Sequence, residues 1–246
     1  MVRATVSSAI SQYLRGQAAM YRAWLRDGME VSAGLYAMHQ DTIQGGLIKM
    51  KNELLQFGNF KLPKTTGIFN LPRVKTCPGR TSFCMQHCYA KKAERQYKTA
   101  AAYRERMYQL STAQDFVQVM TGYITKKIAS RGLDTIRIHE AGDFYDQVYL
   151  DKWIAIAQAL PLVTFYAYTK SFKLDFSKRP ANMIVRGSVD PTTKTLDVMA
   201  AEKLDGTAET QIPGVNLGIA NNFECPGSCK TCSYCLKPGN VWFHLH

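Results

Sequence analysis

A chain of 246 residues, 46% hydrophobic and 11% aromatic, can bury one sizeable core and is too rich in aromatic residues to stay disordered. No apolar run approaches the roughly 20 residues that cross a bilayer, and the opening M-V-R-A-T-V-S-S-A-I-S-Q has no signal-peptide core, so a cytoplasmic protein without a membrane partner is expected. The net charge of +12 is uneven, with 13 Lys/Arg against 3 Asp/Glu between positions 49 and 106, which suits a polyanion or a solvated basic face.

Residues 1–60 read as a helical N-terminal extension. Ile10, Leu14, Tyr21, Trp24 and Leu25 recur at helical spacing, and a second helical piece covers 32–39. A short strand is expected at 60–62. Pro63, Gly67 and Pro72 then mark 63–76 as loops and turns. From about 90 to 110 the pattern is helical, with Lys91, Lys92, Arg95, Lys98 and Arg104 on a basic face. Ser111 or Thr112 is placed to cap a further helix that Gly132 ends.

Beyond Gly132 the pattern alternates. Strands are expected at 135–139, 162–168, 183–189 and 215–220, with helices at 149–160 and 197–204. Such an order implies βα units and a parallel sheet, with a domain over 61–223. Chemistry in that architecture gathers at the carboxyl ends of strands. The polar residues there are His139, Glu140, Gly142, Asp143, Thr169, Lys170, Ser171, Ser188, Asp190, Asn221 and Asn222.

The seven cysteines fall in two groups, Cys77, Cys84 and Cys88, then Cys225, Cys229, Cys232 and Cys235 in a tail over 224–246. An odd number, clustered, points to metal ligands rather than disulfides. The tail's tight C-x3-C-x2-C-x2-C suits a [4Fe-4S] cluster, with zinc the alternative at this site. The first group, C-x6-C-x3-C, would, if all three cysteines bind one cubane, hold three of its irons and leave the fourth open to a small molecule. His87 lies between two of these cysteines, as a fourth ligand, a neighbouring group or plain surface.

The stretch N-L-P-R-V-K-T-C-P-G-R-T-S-F-C-M-Q-H-C-Y-A, the later I-R-I-H-E-A-G-D-F-Y and Y-A-Y-T-K-S, and the cysteine tail ending in F-H-L-H resemble the phage gene product 88 family over about residues 65–246. The layout is more distantly similar to radical S-adenosylmethionine enzymes of the spore photoproduct lyase type, whose cluster loop also ends in Cys-Tyr. That second resemblance implies a partial (β/α) barrel, S-adenosylmethionine on the open iron, and a 5′-deoxyadenosyl radical that takes a hydrogen atom from substrate. It implies a cluster on Cys77, Cys84 and Cys88, cofactor contacts from Gly142, Asp143, Ser188 and Tyr89, and Asp143, Glu140 and Lys170 near the chemistry. A reductant such as a flavodoxin or ferredoxin would be needed, and a phage-encoded chain would work in the host cytoplasm. The sequence departs from that superfamily in its C-x6-C-x3-C spacing, in Gly-Asp where Gly-Gly-Glu is usual, and in too few recognisable βα units.

Three functions compete. The first is a radical enzyme acting on nucleic acid or a nucleotide. The second is a metal-stabilised nucleic-acid-binding protein without catalysis. The third is a redox protein with two clusters.

Overall fold

The computed structural model describes residues 53–212, 217–219 and 222–245. The helices expected within 1–52 lie outside the described residues.

An eight-stranded sheet is the frame: β1 (Gln56–Phe57), β2 (Thr66–Phe69), β3 (Thr135–Ile138), β4 (Thr164–Thr169), β5 (Met183–Val189), β6 (Thr207–Gln211), β7 (Asn222–Glu224) and β8 (Asn240–His244). Their order across the sheet is β1-β2-β3-β4-β5-β6-β8-β7. β1 pairs antiparallel with β2, and every other pair is parallel. From β2 to β6 the spatial order follows the chain order, so the sheet is wound in one direction.

Six helices are described: α1 (Ser82–His87), α2 (Tyr89–Gln96), α3 (Lys98–Thr112), α4 (Phe116–Arg131), α5 (Gln147–Ala159) and α6 (Thr195–Glu202). Strand alternation sends Phe69, Ile136, Ile138, Phe165, Ala167, Met183 and Val185 into one core with Met107, Phe116, Met120, Ile124 and Trp153 from the helices. α6 packs so close to β5 that a Cβ on Gly187 would lie 2.2 Å from the Ala201 Cβ. Helices α3 to α6 therefore cover one face.

On the other face Ile68, Arg137, Tyr166 and Ile184 stand in one row, since these positions pair in register. Tyr168 and Arg186 form the next row. The Tyr168 and Phe243 rings meet at 5.6 Å although β5 and β6 lie between their strands. Three strand steps in a flat sheet would separate them by about 14 Å, so the sheet curls and this face is concave.

Several sequence expectations move. The strand expected at 60–62 is a bend, and the pairing segment is β1. β2 lies inside the expected loop 63–76; its T-G-I-F is only four residues long and carries a glycine. The helical region starts at Ser82, within the cysteine segment, and breaks at Tyr97, whose extended backbone ends α2. Ser111 and Thr112 close α3 rather than cap α4, and their hydroxyls return to the carbonyls of Tyr108 and Gln109. Gly132 ends α4 in the left-handed conformation, as expected. Residues 217–219 form no strand, and the rest of 215–220 lies outside the described residues apart from these. β6 and β8 are strands that the polar T-A-E-T-Q and N-V-W-F-H concealed.

Candidate metal centres and strand-tip site

The chain leaves β2 and reaches the first cysteines through a tightly tied turn. Asn70 Oδ1 accepts the backbone N–H of Glu140 at 2.7 Å and of Ala141 at 2.8 Å, joining this turn to the loop after β3. Thr76 is buried; its hydroxyl donates to the Pro72 carbonyl at 2.6 Å and its own carbonyl accepts the Asp143 N–H at 3.0 Å. Gly142 sits at φ +89°, where a Cβ would lie 2.6 Å from the Leu71 Cβ and 2.7 Å from the Thr76 hydroxyl. Only glycine fits that approach.

The cysteine loop then crosses the carboxyl ends of β4 and β5. At Gly79 a Cβ would lie 1.9 Å from the Lys170 carbonyl. Thr81 caps α1: its hydroxyl accepts from the Cys84 N–H at 3.1 Å and donates to Asp190 at 2.7 Å. Cys84 Sγ lies 3.9 Å from the same Asp190 carboxylate. Cys88 ends α1 and starts α2.

All seven cysteines are free and half-buried. Burial and the Asp143 carboxylate push the Cys77 thiol up to about 12, with Cys88 and Cys84 adding to the rise. Among the described residues no three His, Cys, Asp or Glu side chains are gathered into a ligating group. The His87 ring packs on Phe83 at 4.5 Å and is exposed.

The expected strand-tip residues divide by role. Asp143 is buried, and its carboxylate accepts three hydrogen bonds: one oxygen takes the Thr169 hydroxyl at 2.7 Å and the Phe144 N–H at 2.7 Å, the other the Lys170 N–H at 2.8 Å. Burial raises its carboxyl to about 6 although these donors pull it down. Lys170 Nζ bonds the Ser188 carbonyl at 2.9 Å and Asp190 at 2.8 Å. Glu140 accepts from Asn59 at 2.9 Å and pairs with Arg137 at 3.3 Å. Tyr89 is 51% exposed, with its phenol in electrostatic reach of Arg137 and Glu140.

His139 belongs to the core instead. Its Nε2 meets the Tyr149 hydroxyl at 2.8 Å between aromatic rings, and burial holds it neutral with a value of about 3. Asn222 opens β7 rather than ending a strand, and Asn221 lies outside the described residues.

The tail lies on the concave face, toward the other end of the sheet. Its four cysteines, with Thr66, Thr135 and Tyr166, line a cleft of about 330 Å³ at the amino ends of β2 and β3. The Cys225 N–H donates to the Trp242 carbonyl at 2.9 Å, and the Cys229 N–H to the Lys61 carbonyl at 2.9 Å. Tyr168 stands beside Cys235 and favours its thiolate. Burial and the neighbouring thiols raise Cys229. Burial also raises Cys235, against the opposing pull of Tyr168 and Arg186. His244 bonds Glu224 at 2.9 Å on the exposed edge. His246 lies outside the described residues.

Three residues carry more of the site than the sequence suggested. Asp190 joins Lys170, Thr81 and Cys84 in one cluster. Arg137 and Arg186 stand on the concave face beneath the tail. Arg186 hid in M-I-V-R-G-S-V, where a lone arginine in an apolar run was the available signal.

The basic face is also revised. Lys91, Lys92, Arg95 and Arg80 are exposed around the trio, beside exposed Met85, Tyr89 and Tyr97. Arg104 is not part of it: it is buried, bonding Glu94 at 2.8 Å and the Ala90 carbonyl at 3.2 Å. No described helix is long and apolar enough to cross a membrane.

A family model, Gene product 88, matches residues 42–212. No curated protein and no solved structure matches the chain significantly.

Proposed function

From a chain that belongs to the phage gene product 88 family, we propose an iron–sulfur protein that carries a radical-enzyme-like reaction on nucleic acid or a nucleotide. One observation carries the reading: the three-cysteine loop follows the first parallel strand and is tied over the carboxyl ends of β4 and β5. That is where a singly wound parallel sheet concentrates its chemistry. The curl of the sheet and the helices on its convex side support a partial barrel.

The donor set suits the group. Cys77, Cys84 and Cys88 are unpaired thiols of one loop, and three ligands would leave one iron of a cubane open. A bound four-iron cluster with S-adenosylmethionine would supply a carbon radical for hydrogen abstraction. The chain's own residues would orient it. The Asp143 carboxylate holds Thr169 and Lys170, and its backbone N–H holds Thr76. Gly142 permits the close approach of the β3 loop to Leu71 and Thr76. Lys170, Ser188 and Asp190 form the polar floor under the cysteine loop. Tyr89 and Glu140 stand at its rim, toward the concave face.

The test is anaerobic reconstitution, followed by iron and sulfide analysis and incubation with dithionite and S-adenosylmethionine. Formation of 5′-deoxyadenosine, lost in Cys84→Ser and kept in Cys232→Ser, supports the reading. A cluster that neither binds nor cleaves S-adenosylmethionine removes the radical mechanism.

The exposed Arg80, Lys91, Lys92 and Arg95 with Tyr89 and Tyr97 favour a second reading, a metal-stabilised nucleic-acid-binding protein. Basic side chains meet phosphates and aromatic rings stack on bases. It predicts binding to single-stranded DNA or RNA that weakens steeply with salt, and no product from S-adenosylmethionine.

A further inference from the structure

Arg186 is a buried cation in an unusual setting. It is fully buried at the centre of the sheet. Its Nε donates to the Gly239 carbonyl at 2.7 Å, one terminal nitrogen to the Cys235 carbonyl at 2.8 Å, and the other to the carbonyls of Tyr234, at 3.1 Å, and Lys237. Every acceptor is backbone of the four-cysteine tail. Among the described residues no carboxylate forms a salt bridge with it. Carbonyl dipoles satisfy its hydrogens but supply no counter-charge, and a buried charge without one is costly.

Arg137, two strands away on the same face, adds a second cation. Its guanidinium lies over Tyr166 and Tyr168 at 6.0 and 5.5 Å, and its buried Nε has no hydrogen-bond partner. Its one ion pair, with Glu140, is at 3.3 Å. Tyr166, over which the Arg137 guanidinium lies, lines the same cleft as the four cysteines. Asp134 and Lys230 are the charged residues lining the cleft, and they offset each other.

We infer that Arg186 and Arg137 are the counter-ions of a dianionic tetrathiolate centre on Cys225, Cys229, Cys232 and Cys235. The inference rests on the reading that the tail holds a metal. Four thiolates around a divalent ion, or around a four-iron core carrying two positive charges, leave a net charge of minus two. Two guanidinium groups beneath the loop face that charge, Arg137 sharing its own with Glu140, whichever metal is present. Arg186 has a second task, because its bonds to four carbonyls shape the loop before metal arrives.

Cobalt(II) alone is the probe, titrated into reduced full-length protein and followed by its thiolate charge-transfer and ligand-field bands. Bands that vanish in the Cys229→Ser/Cys232→Ser variant report the tail. Their persistence there would remove the tail reading itself, whatever the arginines do. With the bands assigned, Arg186→Gln and Arg137→Gln should each weaken cobalt binding by about tenfold or more, the scale of lost outer-shell support. Wild-type affinity in Arg137→Gln would overturn the inference, as would wild-type affinity in Arg186→Gln. If Arg186→Gln fails to fold, Arg137→Gln decides alone, because Arg137 holds none of the tail carbonyls.

Discussion

Lys170 Nζ lies 2.8 Å from the Asp190 carboxylate, and the same carboxylate oxygen accepts the Thr81 hydroxyl at 2.7 Å. The side chains are only 10% and 2% exposed. A sheltered ion pair between two strand ends therefore also anchors the cap of the cysteine helix. Asp190→Asn leaves Lys170 charged and unpaired, and should cost about 3–5 kcal/mol. Thr81→Val removes the cap and should cost about 0.5–2 kcal/mol. Urea denaturation of the two variants should show that order.

Two carboxyls should give opposite pH dependences in the metal-free protein. Burial alone would raise Asp190, but Lys170, Thr81 and Thr192 hold it below the ordinary carboxylate range. Its contribution is present above the unfolded value of about 3.9 and fades as pH falls through the lower folded value. Asp143 is raised to about 6, so protonation stabilises the folded state. That contribution is complete below about 3.9 and is lost as pH rises toward 6, a change of roughly 3 kcal/mol. Stability measured between pH 4 and 6 should decline with rising pH in the wild type, and this slope should flatten in Asp143→Asn.

Gly79→Ala should lift the cysteine loop from β4, because the new methyl would overlap the Lys170 carbonyl. Overpacking of this kind costs about 1–3 kcal/mol. Thermal unfolding should register the loss, and iron bound after reconstitution should fall at the trio while the tail keeps its share.

Metal uptake by the trio should be strongly pH-dependent. Cys77 is held protonated by burial and by Asp143, so loading must expel its proton. Affinity for zinc or iron in a tail-less-cysteine variant, Cys225→Ser/Cys229→Ser/Cys232→Ser/Cys235→Ser, should rise between pH 6.5 and 8.5. Proton release should be visible in weakly buffered solution. A flat profile would mean that these thiols bind no metal.

Much of the frame could be read from residue order. The 3.6-residue period of Phe116, Met120 and Ile124 with Gly132 behind it marks α4, and the apolar run at 183–189 marks β5. These segments are long or heavily apolar, so local pattern and tertiary burial agree. β2, β6 and β8 escaped because they are short and carry Gly67, Glu209 or Asn240. Their strand state comes from pairing with neighbours already in the sheet. Arg104 misled for the related reason that a helical wheel cannot show Glu94 folding back onto it.

The order of residues alone determined that seven thiols come in a group of three and a group of four, with βα segments between them. That much follows from covalent spacing, which fixes how far apart ligands on one loop can be. Tertiary structure decided where each group stands: the trio over the carboxyl ends of β4 and β5, the tail across the concave face. It also decided that Arg186, 49 positions before Cys235, holds that residue's carbonyl. The physical reason is that alternation along a strand assigns a side chain to a face, while the curl and pairing of the whole sheet determine what covers that face.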